Sequence, residues 1–367
     1  MKSIQKDFCI LILLVFYIGN INAQMINKNP DPMGNPWIVG GAPAGYDCYD
    51  IGINFTPTEA SFNKPLPASV YNNNLNINYL PPVYNQLTGE NSCLQVCEIY
   101  YTLSYELNRK RNIPAGTNNN HLNMYHPLYT YNLLNGGSNS GTYWGDGFNL
   151  VKENGCPSYS DFWDIALFNP SSRLKYWMNG ASQYNAGMNN TISTIYQFEY
   201  DTSVTNLNYL KHWIADHGTG STTGGLIIIS VNALDWVESS LPNGSPHATD
   251  AVITQLGTTG SHGITLVGYD DSIWALDINQ DGQYTNNVDL NNDGYINIMD
   301  FEKGAFYFIN SWGTGSGTDG YYYLPYALLW STPSLQNPGL TFCHPYSCDV
   351  FNNPLIGIPS PEITINA

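Results

Sequence analysis

The chain has 367 residues, of which 43% are hydrophobic, 14% aromatic and only 11% charged. This composition excludes a disordered protein, and the length suffices for one large or two small packed domains. The formal net charge is −17, from 29 acidic and 12 basic residues. That balance excludes nucleic acid as a partner, since phosphate binding requires clustered Lys and Arg, and it favours a cation.

The first 23 residues have the pattern of an export signal. Lys2 and Lys6 precede an apolar run over 9–18, and residues 21–23 form a plausible cleavage site before Gln24. A membrane anchor is the alternative, but the run is shorter than the ~20 residues needed to cross a bilayer. No later segment is long and apolar enough to do so. We predict a monomer without a membrane span, secreted or periplasmic after cleavage of the signal peptide.

Residues 24–62 lack helical periodicity and predict an extended lead-in, 63–335 predict the folded domain, and 336–367 form a tail without an assigned role. The strongest helix signal follows Ser92, a candidate N-cap. Apolar residues recur at three- and four-residue steps from Val96 to Leu107, which predicts one apolar face. Basic residues 109–111 and Pro114 indicate where this helix ends.

Helices and strands divide between the two halves of the chain. Further helical stretches are predicted over 148–153 and 207–217. Short apolar or aromatic runs bounded by Gly, Asp and Asn predict strands over 226–231, 263–269, 305–309 and 321–324. Helices first and strands later predict an α+β fold with a cleft between two lobes.

Three separated segments carry residues suited to nucleophilic catalysis. Cys93 lies at the start of the long helix, where unpaired backbone N–H groups favour an anion and therefore a thiolate. His262 opens the apolar segment HGITLVGYDD. Asn310 ends a predicted strand and is followed by Ser311, Trp312 and a Gly-rich turn.

In this order, the three segments resemble the papain-like cysteine peptidases, over roughly residues 65–330. The resemblance implies a two-lobed fold with a helical N-terminal lobe, an antiparallel β C-terminal lobe and the active site between them. It implies that Cys93 attacks the scissile carbonyl, that His262 takes and returns the proton, and that Asn310 orients the imidazole. Trp312 would shield the His–Asn hydrogen bond, and Gln86, seven residues before the cysteine, would share the oxyanion hole.

Two features depart from the family pattern. Asn91-Ser92-Cys93-Leu94 stands where the family has C-G-S-C-W, and the segment from Gln86 to the cysteine is one residue longer. Both features look more like the divergent bacterial branch of the family. Cys97 is the rival nucleophile, but it lies one turn inside the helix, where the N–H groups are already paired.

Cysteine pairing and several smaller motifs leave more than one interpretation open. Six cysteines follow the predicted signal, and an oxidising compartment permits disulfides. We predict a bridge between Cys343 and Cys348, which flank a turn; zinc is the alternative, but no two C-x2-C pairs exist.

Gly136 and Gly137 either bind the substrate backbone or form a plain turn. The remaining histidines lack a motif and are predicted to be structural or solvent-facing: His121, His126, His212, His217, His247 and His344.

Between His262 and Asn310 lies a second signal, an EF-hand-type calcium pattern over 277–303. One loop places oxygen ligands at the positions that Ca²⁺ coordination requires, with Gly294 at its sharp turn. An earlier loop repeats only the first half of this pattern, because Val288 occupies its twelfth position. Glu302 is an extra candidate ligand, and the alternative is an acidic, Asn-rich surface turn. The predicted ligands of structural Ca²⁺ are Asp289, Asn291, Asp293, the Tyr295 carbonyl, Asn297 and Asp300, with Asp277, Asn279 and Asp281 in the earlier loop.

The sequence therefore favours a secreted endopeptidase that acts on proteins or peptides through an acyl-enzyme, stabilised by calcium. The main competing hypothesis is an inactive binding or adhesion module that kept the fold. Candidates for all four catalytic positions argue against it. A third hypothesis is a calcium-dependent surface protein whose loops bind a partner, but those loops lie in the segment that links His262 to Asn310. A cysteine-dependent transferase or amidase could use the same catalytic residues.

Overall fold

The computed structural model describes residues 52–87, 90–162, 181–199, 201–257, 259–329 and 345–351. Within these ranges ten strands form one sheet. The strands are β1 Ile53–Asn54, β2 Ser69–Tyr71, β3 Ile192–Gln197, β4 Ile227–Leu234, β5 Val237–Ser240, β6 Ala251–Gln255, β7 Thr259–Trp274, β8 Lys303–Ile309, β9 Tyr321–Pro325 and β10 Tyr346–Val350. Their order across the sheet is β1-β3-β10-β4-β7-β8-β9-β6-β5, and β2 also pairs with β7.

The longest helical segment, α2, changes its geometry twice. It is α-helical over Cys93–Gln95, π-helical over Val96–Leu103 and α-helical again over Ser104–Arg111. It ends at Asn112, which adopts the left-handed conformation. The other helices are α1 Glu59–Phe62, α3 Pro127–Asn135, α4 Asp146–Asn154, α5 Tyr159–Phe162, α6 Ala181–Gly187, α7 Val204–Asp216 and α8 Tyr326–Leu329, with a 3₁₀ turn at Ile298–Asp300.

Most strand pairs are antiparallel, as predicted, but β1 with β3 and β6 with β9 are parallel. The sheet is therefore mixed. The predicted lead-in is not wholly extended, since it contributes both β1 and α1, and β1 extends the sheet beyond β3. β7 is the longest strand and lies between β4 and β8. This α+β, two-lobed arrangement confirms the predicted fold class.

Helix α2 is buried on every side, so the prediction of a single apolar face is wrong for it. All residues from Cys93 to Asn108 are buried, including polar ones such as Gln95, Glu98 and Glu106. A helix surrounded by protein must hydrogen-bond its polar side chains internally. The side chains of α2 enter two apolar clusters, one with α3 and α4 and the other with Leu226 and the centre of the sheet. A third cluster lies between the sheet and α7.

Several predictions concern residues outside the described ranges. The export signal over 1–23, most of the lead-in, Cys48, His344 and most of the tail belong to this group. Cys348 is described as a free, fully buried thiol in β10, so the predicted bridge to Cys343, itself outside the described residues, is wrong. The strand turns the Cys348 side chain into the cluster beneath α2. None of the helices that the structure describes is both long and apolar enough to cross a membrane.

Candidate active site

Cys93 is the first residue of α2 and is fully buried. Backbone N–H groups in the first turn of a helix have no intrahelical acceptor, so this end favours a negative charge. Ser92 occupies the N-cap position as predicted, but its side chain does not cap the helix. The Ser92 hydroxyl instead donates to the buried carboxylate of Glu90. The cysteine therefore lies at an electropositive helix end that is packed against protein.

Strand β7 touches the first turn of α2 at Gly263. A Cβ atom added to this glycine would lie 3.2 Å from the Cα of Leu94 and 3.5 Å from the carbonyl oxygen of Cys93. Any larger side chain would push the strand away from the helix. Because His262 directly precedes this contact, the fold places the histidine and the cysteine on contacting segments, although they lie far apart in sequence.

His262 and Asn310 form a buried hydrogen-bonded pair. The imidazole Nε2 lies 2.9 Å from the Asn310 Oδ1, which also accepts the Ser311 N–H at 2.7 Å. Two donors thus converge on this oxygen, so Nε2 carries the ring proton. Nδ1 is buried and has no hydrogen-bond partner among the residues that the structure describes. Burial lowers the pKa of His262 to about 4, against the opposing effect of the Asn310 hydrogen bond. A neutral imidazole with Nδ1 unprotonated can accept a thiol proton.

Two tryptophans cover this pair. The Trp312 ring stacks on the imidazole with a centroid distance of 4.7 Å and an interplanar angle of 25°. The Trp236 ring lies 5.2 Å from Trp312 and 6.2 Å from His262. Trp312 therefore lies where a side chain would limit the access of water to the His262–Asn310 bond.

Gln86 is attached to the segment that carries Asn310. Its backbone N–H donates to the Ser311 carbonyl at 2.8 Å, and its Oε1 accepts the Ser311 hydroxyl at 2.7 Å. The side-chain Nε2 donates to the Glu90 carbonyl. An amide nitrogen has two N–H groups, and the second has no acceptor within the described part of the chain. The four predicted catalytic residues are thus held on contacting segments.

Cys97, the rival nucleophile, is a core thiol. It is buried beneath β7, and its Sγ lies 3.3 Å from the position that a Cβ on Gly263 would occupy. Burial raises the pKa of Cys97 well above its ordinary value, although a hydrogen bond with Thr265 opposes this effect. Cys93 is buried as well, but it lies in the first turn of α2, whose unpaired N–H groups favour the nucleophilic thiolate. This position favours Cys93 over Cys97.

The Gly136–Gly137 turn lies beside the cysteine loop. Gly136 ends α3 in the left-handed conformation, and Gly137 also has a positive φ. Two residues further on, Asn139 accepts the Asn91 N–H at 3.0 Å through its Oδ1. The glycines form a turn that borders the loop leading to Cys93, and their binding of the substrate backbone stays a prediction.

The five predicted structural histidines that the structure describes all make hydrogen-bond or ring contacts. His126 accepts the Leu128 N–H at 3.1 Å and thereby caps α3. His217 lies 2.9 Å from the buried carboxylate of Glu106, which also binds Arg109.

Sequence reasoning did not single out Glu90 or Trp236. Glu90 is buried three residues before the cysteine, in a loop without periodicity. Trp236 lies in the tight connection between β4 and β5, and no motif surrounds it. In the sequence, the segment that carries Glu90 stands out only by being one residue longer than in the family pattern.

The two predicted calcium loops have the same backbone and hydrogen-bonding pattern. In each loop the fifth residue donates its N–H to the first and third side chains. Asp293 does so to Asp289 and Asn291 at 3.2 and 2.9 Å, and the earlier loop repeats both bonds at 3.1 Å. The glycine at position six has a positive φ in both, 91° at Gly294 and 76° at Gly282. The two loops are therefore structural repeats.

The second half of each loop is closed by a buried carboxylate. Asp300 accepts the N–H groups of Leu290 and Asn297, positions two and nine of its own loop, both at 2.9 Å. Glu302 accepts those of Ile278 and Thr285, positions two and nine of the earlier loop, at 2.9 and 2.8 Å. Glu302 thus occupies the structural position that Val288 leaves unfilled. Within the described ranges no three His, Cys, Asp or Glu side chains are grouped as metal ligands.

Solved structures of cysteine proteases share this fold. Xylellain, a cysteine protease from Xylella fastidiosa, is 17% identical with a TM-score of 0.53, covering 89% of this chain and 99% of its own. Digestive procathepsin L2 from the larval midgut of Tenebrio molitor is 16% identical with a TM-score of 0.51, covering 88% of this chain and 81% of its own. The fold is that of the papain-like cysteine proteases. A likeness at these identities establishes the fold alone, and the sequence matches no protein-family model and no curated protein.

Proposed function

We propose that the protein is a papain-like cysteine peptidase that hydrolyses peptide bonds through Cys93, His262 and Asn310. One observation carries the proposal: a buried His262–Asn310 hydrogen bond of 2.9 Å lies under Trp312, one residue from the contact with the first turn of α2. A neutral imidazole held by an amide, next to a thiol at a helix N-terminus, is the arrangement that activates a cysteine nucleophile.

The reaction proceeds in two halves. His262 takes the thiol proton at Nδ1, and the Cys93 sulfur forms a bond to the substrate carbonyl carbon. The imidazolium then gives the proton to the leaving amine as the C–N bond breaks, which leaves a thioester on Cys93. A water molecule, deprotonated by His262, hydrolyses this thioester and restores the thiol.

The oxyanion of the tetrahedral intermediate requires donors near Cys93. The Cys93 backbone N–H and the second N–H of the Gln86 amide are the candidates. Loss of one such donor typically lowers kcat by about 10²–10³-fold. The bonds from Ser311 and to Glu90 fix the plane of the Gln86 amide, so this donor is positioned before substrate binds.

An epoxide-type, thiol-directed inhibitor tests the proposal. Purified protein is incubated with the inhibitor in the presence of reductant and calcium, and the adduct is mapped by mass spectrometry beside a peptide-cleavage assay. We expect labelling at Cys93, little labelling in the His262→Ala variant, and no cleavage by Cys93→Ser. Cys97→Ser is the matched control and should keep both labelling and cleavage. Labelling at Cys97, or cleavage by the Cys93→Ser variant, contradicts the proposal.

An inactive binding module is the second candidate, and the complete burial of Cys93 is the observation in its favour. If the Cys93 thiol stays covered when a peptide binds, it cannot attack the carbonyl carbon. A protein that takes no label and cleaves no peptide, yet melts cooperatively, supports this candidate.

We further propose that both loops bind structural Ca²⁺, with Asp300 and Glu302 as the closing carboxylates. The support is the shared hydrogen-bond pattern of the loops and the equivalent position of the two acids. Ca²⁺ prefers six to eight oxygen ligands, which each loop offers from carboxylates, amides and a backbone carbonyl. Calorimetric titration should give two ions per chain, Glu302→Gln should bind one fewer, and Asp319→Asn should bind both. An unchanged stoichiometry in Glu302→Gln rules out the role of Glu302.

Secretion is the last part of the proposal and rests on residues 1–23. N-terminal sequencing of protein recovered outside the cells should begin at Gln24. Protein that retains Met1 and sediments with membranes would instead indicate an anchor.

A further inference from the structure

A surface depression of about 540 Å³ lies beside strand β5. Its walls are residues 238–240 of β5, Thr249, Ala251 and the 317–318 turn. Thr318 Oγ1 accepts the Ala251 N–H at 2.7 Å, which ties two of these walls together. Thr249 has a φ of 80°, a conformation that β-branched residues rarely adopt. Such strain persists only where surrounding contacts enforce it, and it is often found at binding sites.

The depression connects to His262 through two indole rings. Trp312 stacks on the imidazole, and Trp236 lies 5.2 Å from Trp312. The Trp236 Nε1 donates to the Glu238 Oε1 at 2.9 Å. Glu238 is therefore linked through Trp236 to Trp312, the ring that covers the His262–Asn310 bond.

Glu238 is the charged group of the depression. Its carboxylate accepts hydrogen bonds from two neutral donors, Trp236 and the Tyr322 hydroxyl, the latter at 3.1 and 3.2 Å. Among the described residues no Lys, Arg or His forms an ion pair with it. The other walls offer the hydroxyls of serines and threonines. A fixed carboxylate among hydroxyl groups suits a cationic side chain, which neutralises the charge and donates to the hydroxyls.

The direction of the reaction indicates which part of a substrate reaches this depression. The leaving amine takes its proton from His262, so the substrate residues on the leaving-group side pass over His262 and Trp312. An extended chain advances about 3.3–3.6 Å per residue. Two or three residues beyond the scissile bond therefore span the width of the two indoles.

We propose that Glu238 and this depression bind a Lys or Arg side chain of the substrate, located two or three residues beyond the scissile bond on the leaving-group side. The inference rests on the proposed peptidase function and adds a substrate preference to it. Selectivity comes from an ion pair at an exposed carboxylate, so we expect a modest effect on kcat/KM of about 2- to 5-fold.

Paired quenched fluorescent peptides test this subsite. The two peptides of a pair are identical except for Lys or Gln at the second or third position after the scissile bond. Wild type should favour Lys by about 2- to 5-fold, Glu238→Gln should bring the ratio of kcat/KM values to near one, and Glu238→Lys should favour a Glu-containing peptide. Glu199→Gln, which removes a carboxylate elsewhere on the protein, should keep the wild-type ratio. The preference should also weaken as ionic strength rises, because salt screens exposed charges.

The outcomes separate the two proposals. Wild-type protein that cleaves both peptides equally, or a Glu238→Gln variant that keeps the preference, overturns the subsite and leaves the peptidase intact. Wild-type protein that cleaves neither refutes the peptidase, and the subsite with it. Equal melting temperatures of wild type and Glu238→Gln show that a lost preference does not reflect unfolding.

Discussion

Glu98 gives the protein a pH-dependent stability that one substitution should remove. Its carboxyl group is fully buried, and the residue lies in the second turn of α2. Tyr346 Oη and the Gly145 N–H donate to Oε1 at 2.6 and 2.8 Å, and Gln95 Nε2 donates to Oε2 at 3.1 Å. Burial raises the pKa of Glu98 from 4.5 to about 7, although these hydrogen bonds oppose the effect.

The direction and size of the effect follow from proton linkage. The unfolded chain releases this proton near pH 4.5, whereas the folded protein holds it until about pH 7. Between these values the unfolded state binds fewer protons, so the free energy of unfolding falls as pH rises. At about 1.4 kcal/mol per pH unit, the loss amounts to about 3 kcal/mol. The loss is absent below pH 4.5 and complete above pH 7.

Glu98→Gln replaces the ionisable group with a neutral amide of the same shape. Its Oε1 can still accept from Tyr346 and Gly145, and Gln95 can turn its amide because its partners, Thr130 and Thr142, are hydroxyls that donate or accept. Urea unfolding is measured from pH 4.5 to pH 8.

We expect the stability of Glu98→Gln relative to wild type to rise by about 3 kcal/mol across this range. Glu153→Gln, at an exposed position of α4, should follow wild type throughout. Parallel curves for wild type and Glu98→Gln would refute the reasoning.

Four further predictions concern the candidate catalytic pair, a buried ion pair, a tightly packed glycine and calcium. Asn310→Ala should lower kcat/KM by about 10²-fold without shifting the melting temperature greatly, because His262 loses its orientation. Glu106→Ala should reduce the free energy of unfolding by about 3–5 kcal/mol in urea titrations, since it leaves the Arg109 guanidinium and His217 without their buried carboxylate. Gly224→Ala should cost about 1–3 kcal/mol, because its Cβ would meet the Ile214 carbonyl, whereas Gly315→Ala meets nothing within 4 Å and should be neutral. Chelation of calcium should lower the melting temperature but leave kcat/KM at room temperature unchanged.

The sequence predicted the fold class and most of the central strands. These strands are short apolar or aromatic runs in the sequence, and they are buried in the sheet as such runs require. The runs at 226–231, 263–269, 305–309 and 321–324 coincide with observed strands, apart from Leu226, which precedes β4. Helix α3 and strands β3 and β10 carried no such signal. α3 is rich in Tyr and Asn, and the Thr130 hydroxyl donates to the distant Gln95 as well as to Pro127 in its own helix.

Residues of the candidate site could be predicted only where a recognisable sequence motif surrounds them. His262 and Asn310 stand in segments whose neighbours form the strands that position them. Glu90 and Trp236 have no such neighbours, and their importance arises from contacts across the fold. Trp236 reaches Trp312 from another strand connection, far earlier in the chain. Neither periodicity nor motif spacing reveals a contact between two segments that lie so far apart in the chain.

Calcium should govern stability rather than catalysis because of where the loops join the sheet. The 277–303 segment connects the end of β7 at Trp274 to the start of β8 at Lys303, whereas His262 and Asn310 lie at the opposite ends of these strands. At about 3.3 Å per residue, an extended strand separates His262 from Trp274, twelve residues later, by about 40 Å. Between them the register is fixed by five paired positions, from Thr265 opposite Ile309 to Asp270 opposite Ala305. Most of these residues are buried in the sheet, so the strands keep their register when the loops loosen. A fall in kcat/KM on chelation, at a temperature where the protein stays folded, would show that the loops reach the triad by another route.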